Sequence, residues 1–159
     1  MPTWSDIANR SNFSDSFGSG YLVTGPGWIY KSPAYYAQAL YARADGTYPV
    51  RVERSSKLAW QVQEPDLAAS LSADGKILRI YAVNSTQEPM ATHFHLAAFQ
   101  AGVSTGTVYT LGDRDQSMTS EVLNSRDDPV RVSTRSAPVK VRGNEFEFTF
   151  KPLTIRYSS

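Results

Sequence analysis

The sequence predicts a mainly β chain, an antiparallel β-sandwich of jelly-roll type carrying one short helix. Three observations predict it. Beyond Gly46 the apolar residues recur with period two, the spacing of a strand that buries one face. Turn-forming clusters interrupt that pattern at short intervals. Only one segment, residues 32–44, carries helix signals.

Residues 1–31 are rich in Ser, Gly and Asn and predict irregular chain around one or two short strands, with Tyr21–Thr24 leading through Gly25-Pro26-Gly27 into Trp28–Tyr30. Ser32-Pro33 then supplies an N-cap and a Pro at the first helical position. Good helix formers follow from Ala34 to Arg43, with an apolar stripe at Tyr36, Ala39 and Leu40, and Asp45-Gly46 ends the helix. In Tyr48–Glu53, Val50 and Val52 share one face while Arg51 and Glu53 take the other. Ile77–Val83 is apolar on both faces, as a central strand packed on both sides or near the core would be. Phe146, Phe148 and Phe150 form one face of a strand over 145–150, and Leu153, Ile155 and Tyr157 one face of the last. Turn signals separate these runs at Ala73-Asp74-Gly75, Asn84-Ser85-Thr86, Gln100-Ala101-Gly102, Leu111-Gly112-Asp113, Arg126–Pro129 and Arg142-Gly143-Asn144.

A chain of 159 residues fits one domain that buries about two-thirds of its unfolded surface without a disulfide or structural metal. A hydrophobic fraction of 41%, with nine Tyr, seven Phe and three Trp, is that of a folded globular protein. Sixteen basic residues against fifteen acidic ones, with no basic run, argue against a nucleic-acid partner. Without cysteine there is no thiolate ligand or Cys nucleophile, and the compartment stays open. The first ten residues lack the basic and apolar regions of a secretory signal, and no window approaches eighteen apolar residues, so no membrane span is expected. Gly18-Ser19-Gly20 and Gly25-Pro26-Gly27 lack the spacing and the Lys of a phosphate loop.

The order of several segments resembles a known family. Asn124, Pro129 and Val132, then Val139-Lys140-Val141, Gly143-Asn144, Phe146-Glu147-Phe148 and Pro152–Ile155, resemble the end of the C-terminal β-sandwich of family 51 α-L-arabinofuranosidases. Leu78–Pro89, an apolar strand ending at Asn84, resembles an earlier strand and turn of that domain. Ala8–Phe13, Gly20–Thr24 and Tyr30–Tyr41 are similar to the last strand and last helix of the family's (β/α)8 catalytic barrel. The resemblance implies two parts, a barrel remnant over 1–45 and a β-sandwich over 46–159. It also implies that the acid/base and nucleophile glutamates lie on earlier barrel strands, with no counterpart here. No catalytic residue and no cofactor is carried over.

Four groups of residues are candidates for chemistry or binding. Glu145 and Glu147 project from one strand face about 6.5–7 Å apart, and glycosidases need paired carboxyl groups about 5–5.5 Å or 6.5–9.5 Å apart. Alternation alone also accounts for them, as the solvated face opposite the three phenylalanines. Asp113, Asp115, Glu121, Asp127 and Asp128 gather within 111–129, where a catalytic or calcium site competes with ordinary loop polarity. His93 and His95 share a strand face and could begin a metal site, but a metal needs a third ligand and the sequence shows none. Trp4, Trp28 and Trp60, with Tyr30, Tyr35, Tyr36 and Tyr41, could stack on sugar rings or pack at a domain interface. The resemblance favours the interface for Trp28–Tyr41, because it puts this helix between barrel and sandwich.

The leading expectation is therefore an accessory C-terminal sandwich of an arabinofuranosidase-like glycoside hydrolase, inactive alone, whose partner is a catalytic barrel. An exposed aromatic surface would otherwise favour self-association. The alternatives are a free-standing carbohydrate-binding module for arabinoxylan or arabinan, and a small glycosidase with a remodelled carboxylate site.

Overall fold

The computed structural model describes residues 12–16, 20–43, 48–53, 65–97, 104–116, 122–141 and 143–158, with backbone alone for 104 and 154–158. In chain order the elements are β1 (Ser14–Asp15), β2 (Leu22–Gly25), β3 (Trp28–Lys31), α1 (Pro33–Ala42), β4 (Tyr48–Val50), β5 (Asp66–Leu71), β6 (Leu78–Asn84), β7 (Met90–His95), β8 (Ser104–Asp113), β9 (Val132–Val141), β10 (Glu145–Phe150) and β11 (Thr154–Ser158). They form a small sheet β1-β2-β3, a ribbon β10-β7 and a six-stranded sheet β4-β5-β6-β11-β8-β9. All pairings are antiparallel except β1 with β2, which is parallel. Among the described residues the chain is a mainly β sandwich with one helix, as its alternation predicted.

Strand β6 explains how the layers assemble. Tyr81 and Ala82 are adjacent and both buried, so the strand packs on both faces. On one face Tyr81 joins Leu111 of β8, Val132 of β9 and Leu40 of α1, with Tyr36, Ala37, Ala68 and Tyr109 around them. On the other, Ala82 meets Met90 of β7 and Phe150 of β10, flanked by Leu67, Phe94 and Phe148. The large sheet is thus a wall between a helix and a ribbon. The helix lies against this sheet at its β8–β9 side.

The helix begins where its capping chemistry dictates. Ser32 is extended (φ −74°, ψ 164°), its Oγ accepts from the Tyr35 amide at 3.4 Å, and Pro33 opens the first turn. The same Oγ donates to the Gly20 carbonyl at 2.7 Å, which pins the cap to the small sheet. At the other end the Arg43 amide returns to the Ala39 carbonyl. The predicted stop at Asp45-Gly46 lies outside the described residues, as does the turn at 100–102.

Other expectations are corrected in detail. β4 ends at Val50, so Arg51, Val52 and Glu53 are not strand; Arg51 and Glu53 pair with each other in solvent at 3.0 Å. β8 runs through Leu111-Gly112-Asp113, which had read as a turn, because all three residues pair with β9. Leu153 precedes β11 in a left-handed conformation (φ 47°), its amide bonded to the Thr86 carbonyl. β5 carried no clear signal, its Ala68-Ala69-Ser70 being weak strand formers that pairing to β4 and β6 overrides.

Candidate functional site

In the ribbon, β10 pairs with β7 so that Phe146 faces Phe94, Phe148 faces Thr92 and Phe150 faces Met90. Phe94 stacks on Phe146 at 4.7 Å and meets Phe150 edge-on at 6.1 Å, which fixes this face inward. The period of two then sends Glu145 and Glu147 outward with His93 and His95, and all four are exposed. Glu147 stands opposite His93 and Glu145 opposite His95. The closest approach is diagonal, His93 Nε2 to Glu145 Oε2 at 3.9 Å, while His95 Nε2 lies 3.2 Å from the Asn144 amide. The structure thus brings the carboxylate and imidazole candidates onto one solvated face. Among the described residues no group of three or more potential ligands converges as a metal ion would require.

Three aspartates of the acidic loop are paired with two arginines that the sequence reading did not single out. Arg114 donates to both carboxylate oxygens of Asp128, at 2.7 and 3.3 Å, and to Asp115 at 3.2 Å. Its guanidinium pKa is pushed up, first by the Asp128 hydrogen bond and then by Asp115. Arg131 reaches Asp113 at 3.3 Å and Asp115 at 3.9 Å. The Arg114 amide also bonds the Arg131 carbonyl, so the two cations are held side by side across the loop. In this clasp Asp113, Asp115 and Asp128 already have cationic partners. Asp127 is exposed, and Glu121 lies outside the described residues.

The aromatic candidates divide. Trp28 and Tyr30 stack on each other on one face of β3, 5.6 Å apart with planes within 12°. The indole leans across the hairpin onto Gly25, where an added Cβ would sit 2.2 Å from the ring. The hairpin turns at Pro26-Gly27, Gly27 taking φ 74° as the second central residue of a type II turn does. Tyr35 meets Tyr36 edge-on at 5.6 Å and carries the Lys31 ammonium 4.6 Å above its ring. Tyr41 stacks on Tyr81 at 5.7 Å, and burial, followed by repulsion from Tyr81, raises its pKa. Much of the ring surface is therefore spent on other protein groups. Trp4 and Trp60 lie outside the described residues.

The tightest polar feature joins the N-terminal elements to the sandwich. Asn124, only 4% exposed, donates its amide to the Lys31 carbonyl at the end of β3 and to the Val132 carbonyl at the start of β9, both at 2.9 Å. Its Oδ1 accepts from the Val132 amide at 2.7 Å. Asn84 plays the matching role at the ribbon end. It donates to the carbonyls of Glu88, Phe150 and Lys151 and accepts from the Thr86 amide and hydroxyl. Both asparagines stood out in the sequence as motif residues, and their shared signal is an Asn that ends an apolar run and is followed by Ser.

Comparisons agree with this arrangement. Residues 12–154 match a family described as the α-L-arabinofuranosidase C-terminal domain. A Thermotoga maritima α-L-arabinofuranosidase solved with arabinose is 26% identical, with a TM-score of 0.68 over 88% of this chain. A family 51 α-L-arabinofuranosidase from Thermotoga petrophila RKU-1 is 25% identical, with a TM-score of 0.66 over 88%. An arabinose-bound family 51 enzyme shares the fold at a TM-score of 0.71, with 16% identity over 87% of this chain and 21% of its own. No curated protein sequence matches significantly. The chain spans 31% of the length of both Thermotoga enzymes. With 12–154 covered by one family profile, the chain belongs to the α-L-arabinofuranosidase C-terminal domain family.

Proposed function

We propose that this chain serves as the accessory sandwich of an α-L-arabinofuranosidase-like glycoside hydrolase acting on arabinose-containing plant polysaccharide, and that by itself it has no hydrolytic activity. The observation that carries the reading is the match of residues 12–154 to a domain that closes a longer enzyme. In this reading residues 1–45 are the last strand and helix of a catalytic barrel, and the sandwich over 46–159 braces that barrel through the Trp28–Tyr41 region. The stacking of Trp28 on Tyr30 and of Tyr41 on Tyr81 supports packing over sugar binding.

A remodelled glycosidase finds less support. Glu145 and Glu147 stand on an open, solvated face rather than in the enclosed pocket that holds a glycosidase's general acid. The test is hydrolysis of an aryl α-L-arabinofuranoside by highly purified chain, with Glu147→Gln alongside. No turnover above buffer is expected from either protein. Turnover that a point substitution in this chain abolishes would overturn the proposal.

A further inference from the structure

A strand at the edge of a sheet offers its unpaired backbone groups to any other strand, so folded proteins close such edges explicitly. β9 is one edge of the six-stranded sheet and pairs with β8 along its whole length, from Val132 to Val141. Among the described residues no strand lies on its outer side, and Arg135, Ser136, Ala137 and Pro138 are exposed.

In an antiparallel pair the backbone groups of successive residues point alternately at the partner strand and away from it. Val132 settles which residues of β9 point away. Its amide donates to Asn124 Oδ1 at 2.7 Å and its carbonyl accepts from Asn124 Nδ2 at 2.9 Å, so both groups face away from β8. The preceding Arg131 carbonyl accepts from the amide of Arg114, just past the end of β8, at 2.8 Å, as the alternation requires. Thr134, Ser136, Pro138 and Lys140 follow Val132 with period two and turn their backbone outward. Asn124 therefore stands where an added strand would begin, with a donor and an acceptor in one side chain. Pro138 also falls on an outward position, where a residue without an N–H costs the β8 ladder nothing.

We infer that Asn124 and Pro138 close the outer edge of β9 against strand pairing with a second copy of this chain. The occupant they exclude follows from the strand's own pattern. Two β9 strands laid antiparallel with Ser136 opposite Ser136 bring Arg135 opposite Ala137 and Lys140 opposite Val132, so no like charges face each other. The same register sets Pro138 opposite Thr134 on both sides of the centre. Each Pro138 withholds a hydrogen bond from the facing Thr134 carbonyl. Asn124 already holds the Val132 groups that Lys140 would need. Only the central Ser136 pair stays whole.

The test combines amide hydrogen exchange of the wild-type chain with self-association of variants, followed by analytical ultracentrifugation. The wild-type Ser136 amide should exchange at least tenfold faster than the amides of Arg135 and Ala137, which point at β8. Pro138→Thr supplies the missing N–H and should tighten self-association at least tenfold over wild type. Ala137→Thr makes a comparable gain in strand propensity at a position whose amide faces β8, and should associate as wild type does. Adding Ser136→Pro to Pro138→Thr should restore wild-type sedimentation. Association of Pro138→Thr equal to wild type, or an equal gain from Ala137→Thr, overturns the inference. So does a double variant that associates as tightly as Pro138→Thr, or a wild-type Ser136 amide as protected as its neighbours. The exchange comparison needs no substitution, so it decides even where a variant unfolds.

Discussion

The side-chain amide of Asn124 donates to the backbone carbonyl of Lys31, 93 residues earlier in the chain, at 2.9 Å. With its two bonds to Val132 it holds the end of β3, the entry to α1 and the start of β9 at one buried point. Asn124→Ala leaves two carbonyls and one amide without these partners, and each unpaired buried group costs about 1–3 kcal/mol. A loss of about 3 kcal/mol is expected in urea denaturation. Asn124→Asp, which keeps the acceptor but faces both carbonyls with oxygen, should lose at least as much. A loss below about 1 kcal/mol for both variants would show that the clasp is not structural.

Gly25 leaves room for an indole. Gly25→Ala puts a methyl where the Trp28 ring lies, so the ring must leave and its stack on Tyr30 is lost. The expected cost is about 1–2 kcal/mol, with a changed near-ultraviolet circular dichroism spectrum. Gly27→Ala is the control. Its Cβ would meet open space, so only the positive φ is penalised, by about 1–2 kcal/mol, and the tryptophan signal should persist.

The two faces of β10 should respond oppositely. Phe150 is 4% exposed in the ribbon core, so Phe150→Ala should cost about 3–5 kcal/mol. Glu147→Ala, three residues away on the outer face, should stay within about 0.5 kcal/mol. Equal effects would mean that the strand face is misassigned.

Asp74 gives the turn between β5 and β6 a pH dependence. The Ser72 hydroxyl donates to its carboxylate at 2.6 Å and the Lys76 amide at 3.1 Å, and these bonds, the hydroxyl's first, hold its pKa below the usual carboxylate value. A pKa lowered by folding stabilises the fold at pH above the usual carboxylate range, and the contribution fades as pH falls through the lowered value. Asp74→Ala should therefore reduce Tm at pH 7, and the gap from wild type should narrow in strong acid. A gap independent of pH would assign the effect to turn geometry alone.

Where one face of a strand is buried, the sequence was legible. Phe146, Phe148 and Phe150 declared a strand with one apolar face, and Ile77–Val83 a strand packed on both sides or near the core, because burial writes itself as periodicity. Ser32-Pro33 placed the helix start to the residue, since capping is local chemistry. The covering of β6 could not be read, because which layer meets which face depends on pairings across the whole chain. The acidic loop was half legible. Its aspartates showed in composition, whereas Arg114 and Arg131 gain meaning only when the β8 end and the β9 start are brought together.

Tyr81 and Ala82 sit side by side in β6, yet one serves the helix side of the wall and the other the ribbon side. Drift in this lineage should therefore run along two separate tracks. Changes at Tyr81 should be accompanied by compensating changes at Leu40, Leu111 and Val132, and changes at Ala82 by changes at Met90 and Phe150. Adjacent codons would then carry independent histories.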